Sequence, residues 1–197
     1  QYVSGDRLVF AHFGSLSDSR TLAPFFQGLS TFLDVHPTCR STVRVEVYGA
    51  ALDAESARVL EQTGLKPLVS CMGRLESCPE TGLSGRERVV KRMHEVDCLL
   101  LMHGMIAECP EYIPSKLYEY FWARRPVLAL TWRNAQLDGL VHEHGGFVAP
   151  TDDPAAIVRA IESVYVGWQT GTLNEGCMDS QPLGVGQAVE KILSECL

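Results

Sequence analysis

The 197-residue sequence predicts a single doubly wound α/β domain with a mainly parallel sheet of about six strands. Three observations predict it. Apolar runs of strand length alternate with amphipathic stretches of helical period from end to end of the chain. One run, residues 97–102 (DCLLLM), is almost continuously apolar, as a strand buried on both faces must be. Hydrophobic residues make up 46% and charged residues 21%, enough apolar material for one real core.

The elements follow in order. Residues 7–13 (RLVFAHF) read as the first strand and end at Gly14. Leu22, Phe25, Phe26, Leu29, Phe32 and Leu33 recur at helical spacing, and the helix they define stops at Pro37. Residues 43–48 (VRVEVY) form a second strand closed by Gly49; residues 53–62 form a helix stopped by Gly64. Residues 68–72 give a third strand closed by Gly73. Ser84 and Glu87 make a capping box, and Val89, Val90 and Met93 continue its helix. The fourth strand is 97–102. Pro114 and Ser115 then start a short helix over Ser115–Trp122, before a fifth strand at 127–130. A weaker helix covers 135–144, and residues 146–149 make a last short strand. Asp153 caps and Pro154 opens a helix lined by Ile157, Ile161 and Val164. Residues 170–184 read as a loop, and Val189, Ile192 and Leu193 suggest a terminal helix, so residues 171–197 complete a domain spanning 1–197. Sheets of this class bind ligands beyond the carboxyl ends of their strands, which directs attention to loops 14–20, 73–78, 103–116 and 131–138.

Composition excludes several classes. A formal net charge of −7 disfavours nucleic acid as a partner, although a local cationic pocket is compatible with it. The seven cysteines, Cys39, Cys71, Cys78, Cys98, Cys109, Cys177 and Cys196, are odd in number and lack CxxC spacing. Buried free thiols, Cys71 and Cys98 among them, and a cytoplasmic, reducing location are the expectation. No metal site is expected: His142 and His144 stand two apart, which turns them to different sides of a helix. No apolar stretch approaches the roughly 18–20 residues that span a bilayer, and no signal peptide is visible. A strand pattern within ten residues of Gln1 is what a piece cut from a longer chain would show.

The segment richest in chemistry is 111–130, EYIPSKLYEYFWARRPVLAL. Seven residues separate Glu111 from Glu119. Ser115, Lys116 and Leu117 would present free backbone N–H groups at a helix start, an anion site to which Lys116 adds a full charge. One turn on, the Glu119 carboxylate can accept two hydroxyl groups of a ribose. Glu111 precedes the helix, where a sugar joined to the phosphate would lie. Each residue also has a plainer reading. Glu119 alone is an ordinary surface acid. Arg20 and Lys116 sit near helix starts, where a cation opposes the dipole. His12 and His103, at strand ends, are more often packed or solvated than functional. Tyr120, Phe121 and Trp122 read as core and support for the short helix.

The pattern IPSKLYEY followed by RPVLAL resembles the signature of family-4-type, or group 1, glycosyltransferases. The resemblance implies one Rossmann-like half of a GT-B fold, in which two such domains face each other and the C-terminal one holds most of the donor. It implies that Glu119 holds the ribose and that Glu111 acts near the donor sugar, as the catalytic candidate. The segment LVFAHFGSLSDSRTLAPFFQGLSTF resembles the family's first C-terminal-domain strand, glycine loop and helix. Gly14 then allows close approach of the donor, and Arg20 reaches the diphosphate. Many members carry a lysine shortly after that arginine; here Thr21, Leu22, Ala23 and Pro24 follow, so the second charge falls to Lys116. The stretch VSCMGRL resembles the strand and turn that contact the base, which makes Arg74 and Leu75 candidates. Altogether the resemblance implies a nucleoside-diphosphate-sugar donor, no further cofactor, and transfer with retention. It also implies an N-terminal acceptor domain absent from this chain, through which any membrane contact would run. The alternatives are a nucleotide-sugar epimerase of GT-B fold and a non-catalytic flavodoxin-like binding domain.

Overall fold

The computed structural model describes residues 5–49 and 51–177. Six strands form one sheet: β1 (Leu8–Gly14), β2 (Val43–Gly49), β3 (Val69–Gly73), β4 (Cys98–Met102), β5 (Val127–Thr131) and β6 (Phe147–Pro150). Every neighbouring pair is parallel, and the order is β3-β2-β1-β4-β5-β6. The expected parallel sheet of about six strands is thus present, and among the described residues every pairing in it is parallel. Each connection carries a helix: α1 (Ala23–Val35), α2 (Ala54–Thr63), α3 (Gly85–Glu95), α4 (Ser115–Trp122) and α5 (Ala135–Glu143), with α6 (Pro154–Thr170) after the last strand. Strand order reverses between β1 and β4, which is the topological switch point of the sheet.

Alternation along the strands builds a core on each face. Leu8 and Phe10 of β1 face one side and pack with Phe25, Phe26 and Leu29 of α1 and with Ile157 and Ile161 of α6. Ala11 and Phe13 face the other, with Met93 of α3, Leu117, Tyr120 and Phe121 of α4, and Leu137 and Val141 of α5. All five residues of β4 and of β5 are buried, in keeping with strands covered on both faces.

The local signals explain the element boundaries. Ser84 and Glu87 form the reciprocal capping box at the start of α3. Asp53 caps α2 by accepting from the Ser56 amide, and the Ser56 hydroxyl accepts the Leu22 N–H, which ties the start of α1 to that of α2. Asp153 caps α6. That helix runs to Thr170 before Gly171 closes it in a left-handed turn, so it reaches the point where the loop was expected to begin. The rest of that expected loop beyond residue 177, and the terminal helix suggested by Val189, Ile192 and Leu193, lie outside the described residues.

Two burial expectations fail for tertiary reasons. Cys71 is exposed because β3 is an edge strand whose residues are only partly covered. Trp122 is 52% exposed at the end of α4, although Tyr120 and Phe121 beside it are core.

Candidate functional site

The site begins where β1 and β4 part. Their ladder registers Phe10 with Cys98 and Ala11 with Leu99. Beyond it, the Leu100 carbonyl is met by side chains instead. His12 Nδ1 lies 3.1 Å from it, and the Tyr120 hydroxyl donates to it at 3.3 Å. The same Tyr120 oxygen accepts the Phe13 N–H at 3.1 Å. Tyr120 is fully buried, and burial raises its phenol far above the ordinary value. This one residue therefore fastens α4 to the ends of both central strands and fixes where the first turn of α4 stands.

That first turn faces Gly14. Gly14 has φ +127°, a conformation side chains rarely take, and a Cβ there would stand 2.9 Å from Lys116 Cε. The neighbouring Gly49, at φ +120°, has no room either, since a Cβ would strike the Gly14 carbonyl. Lys116 thus lies across a bare stretch of backbone at the switch point. Burial lowers its ammonium pKa from the usual value; nearby Glu119 opposes this, while Arg86 and Arg20 add to it.

Helix α4 has Pro114 at its N-cap and no side-chain cap. Among the described residues the Ser115 and Lys116 amides meet no acceptor, as expected for a helix start. The Leu117 amide differs, because it donates to the Pro114 carbonyl at 2.9 Å within the turn. The Leu117 side chain is fully buried and holds the helix down rather than facing the crevice.

Lys116 and Gly14 divide the crevice into two lobes. One, of about 620 Å³, is lined by His12, Ser19, Arg20, Gly104, Glu108 and Tyr112 among others. The other, of about 630 Å³, is lined by Tyr48, Gly49, Arg74, Leu75, Arg86 and Glu119 among others, with Phe13 stacked on Tyr48 at 4.6 Å as part of its wall. Gly14 and Lys116 border both.

Most of the residues singled out by sequence come together here. Gly14, Arg20, Arg74, Leu75, Lys116 and Glu119 all line one lobe or the other. Ser115 is exposed at the first position of α4, beside them. Arg74 is well exposed, with Glu76 Oε1 4.0 Å away. Glu111 is not brought in. It closes the short 3-10 turn Cys109–Glu111, is exposed, and lines neither lobe; Glu108, just ahead of that turn, lines the first.

Arg86 was not foreseen. Both terminal nitrogens of its guanidinium lie 3.1 Å from Glu119 Oε1. The signal for it was present: the capping box at Ser84 opens a helix just past the 73–78 loop, so its first turn faces the crevice. His12 and His103 differ. His103 is satisfied, with Nε2 3.2 Å from the Tyr112 carbonyl and Nδ1 accepting the Trp132 N–H. Together with Asn134, which donates to the Cys109 and Tyr112 carbonyls, it pins loop 103–112 to the end of β5. His12 is 5% exposed, and among the described residues its Nε2 has no partner. Burial is the main force that brings its pKa down to about 4; the Leu100 carbonyl opposes, and Lys116 and Arg20 reinforce.

No protein-family profile matches the chain, and no curated protein does. Solved structures do match. HepE of Anabaena, seen in complex with UDP, aligns at a TM-score of 0.66 and 19% identity over 96% of this chain. WaaG, a glycosyltransferase involved in lipopolysaccharide biosynthesis, aligns at 0.68 and 13% over 97%. The C-terminal domain of LpcC from Francisella tularensis, a group 1 family glycosyl transferase, aligns at 0.59 and 13% over 87% of this chain and 83% of its own. The chain spans 49% of HepE and 47% of WaaG. Its fold is that of one Rossmann-like half of a GT-B protein. Among the described residues no helix is long and apolar enough to cross a membrane, and no three His, Cys, Asp or Glu side chains group as a metal site would require.

Proposed function

We propose that this chain is the donor-binding domain of a glycosyltransferase, and that its crevice holds a nucleoside diphosphate sugar. One observation carries the reading. Lys116, at the uncapped start of α4, lies across Gly14 at the switch point and separates two lobes of similar size. A diphosphate resting on Gly14 would meet the Lys116 ammonium, the Arg20 guanidinium and the free amides of Ser115 and Lys116. The nucleoside would then enter the lobe of Arg74, Leu75 and Glu119, with the ribose hydroxyls on the Glu119 carboxylate. The sugar would enter the lobe of His12 and Glu108, with Glu111 one short turn further along the same segment. HepE, which shares the fold, has been seen with UDP-glucose, which supports a nucleoside diphosphate sugar as the kind of ligand.

The chemistry follows from the charges. Breaking the bond between the anomeric carbon and the phosphate oxygen leaves negative charge on the departing diphosphate. Arg20, Lys116 and the α4 amides are preorganised for that charge, so neutralisation of the leaving group falls to the protein. The acceptor would approach across the open side of the crevice from a second domain, and closure would exclude water. Retention of configuration is the course that the sequence resemblance implies, and a cytoplasmic setting suits seven cysteines without pairing spacing.

The test is calorimetry with Arg20→Ala and Lys116→Ala. Each should weaken a nucleoside diphosphate by about tenfold or more while leaving the free nucleoside nearly unchanged. An equal loss for nucleoside and diphosphate would make both cations structural and sink the phosphate assignment.

A further inference from the structure

We infer that His12 selects the sugar: its Nε2 is an acceptor that takes a hydrogen bond from a hydroxyl of a neutral sugar in the lobe it lines. The inference rests on the proposal that this crevice takes a nucleoside diphosphate sugar.

His12 continues the inward row of Leu8 and Phe10 on β1, where a third apolar residue would be the ordinary choice. It stands just past the last registered pair with β4. Its Nδ1 lies 3.1 Å from the Leu100 carbonyl. A carbonyl only accepts, so Nδ1 carries the proton and the ring's other nitrogen is left as a lone pair. Burial and the two nearby cations keep the ring neutral, with its pKa down to about 4. The Nε2 lone pair is therefore a buried acceptor without a partner among the described residues, in a residue that lines the cavity. Buried polar atoms of that kind are uncommon, and a hydroxyl of a bound ligand is a partner that would satisfy this one.

The surroundings say what that partner is. The cations Arg20 and Lys116 border the phosphate end of the lobe, while Glu108 lines the same lobe and, once ionised, only accepts. A sugar hydroxyl donates to such acceptors. A sugar carboxylate turned toward His12 would set lone pair against lone pair. The lobe is thus suited to a neutral hydroxylated sugar and disfavours a uronate in that orientation.

The experiment titrates UDP, UDP-glucose, GDP and GDP-mannose into the 197-residue chain and two variants by calorimetry. In His12→Asn the amide nitrogen occupies the place of Nδ1, so the bond to Leu100 survives; the acceptor at the Nε2 position is lost, and the amide oxygen falls further back, at the place of Cδ2. In His12→Gln an acceptor returns near the position of Nε2. We expect His12→Asn to weaken the sugar conjugate that binds by about tenfold and its parent diphosphate by less than about twofold, with His12→Gln recovering most of the loss. Equal weakening of conjugate and diphosphate, no weakening in a folded His12→Asn, or no recovery in His12→Gln would overturn the assignment. Thermal melting reports whether the variants fold. If His12→Asn does not fold, deoxyfluoro analogues of the conjugate that binds are titrated into the unaltered chain. Fluorine cannot donate, so at least one position must lose about tenfold, and uniform affinity would overturn the inference. If neither diphosphates nor conjugates bind the unaltered chain, the nucleotide-sugar reading itself fails and this inference with it. If diphosphates bind and only the His12 effects are missing, this inference alone fails.

Discussion

At the scale of single residues, the site depends on atoms that are missing as much as on those present. Gly14 and Gly49 keep the floor of the crevice bare, and each adopts a backbone angle that side chains resist. Gly49→Ala should lower stability by about 2–3 kcal/mol, because its methyl meets the Gly14 carbonyl and cannot turn aside. Urea denaturation measures this, and a loss below about 0.5 kcal/mol would show that the two strand ends can separate. Glu119→Ala should leave folding nearly intact, since its pair with Arg86 is largely solvent-exposed. It should weaken the cognate nucleotide by about 1.5–3 kcal/mol. Unchanged affinity in a folded variant would remove the ribose assignment.

Asp97 carries a different prediction. It is buried, accepts the Val9 N–H at 2.7 Å through Oδ2, and leaves Oδ1 without a partner among the described residues. Burial raises its pKa to about 6, against the pull of the Val9 amide and Arg125. A carboxyl raised in the folded state contributes stability at low pH. That contribution is complete below the unfolded value near 4 and is lost as pH climbs through about 6. Asp97→Asn should therefore flatten the stability profile between those values and gain about 1–2 kcal/mol on the native protein at neutral pH. Urea midpoints at several pH values check this; parallel profiles for the two proteins would contradict it.

At the scale of elements, α4 is the part whose placement matters most. Tyr120→Phe keeps the ring in the core but removes the bonds to Phe13 and Leu100. The expected cost is about 1–2 kcal/mol of stability, together with weaker diphosphate binding as the first turn of α4 loosens over Gly14. Normal binding in a destabilised variant would show that Lys116 is held by something else. Much of this level was legible in the chain. The Ser84–Glu87 box, the caps at Asp53 and Asp153, and the periodic apolar residues of α1 are local signals, and local signals survive in sequence. What was not legible depends on neighbours far along the chain. The exposure of Cys71 follows from β3 being an edge, the exposure of Trp122 from where α4 ends on the sheet, and the burial of His12 from its meeting with Leu100. Spacing also gives no sign of Glu108. The seven-residue interval to Glu119 selects Glu111, whereas the fold of the Cys109–Glu111 turn puts Glu108 on the cavity wall.

At the scale of the whole molecule, the reversal of strand order between β1 and β4 opens a crevice, and most of the residues that the sequence singles out line it. An acidic protein, at a net charge of −7, gathers Arg20, Arg86 and Lys116 around a single glycine floor. That local reversal of sign is what a diphosphate requires. The central claim is that this crevice binds a nucleotide through its phosphates, and calorimetric titration of UDP and GDP beside uridine and guanosine tests it most directly. One diphosphate should bind in the micromolar range, and its nucleoside should bind about a hundredfold more weakly. Failure of both diphosphates to bind, or equal affinity for a diphosphate and its nucleoside, would contradict the account.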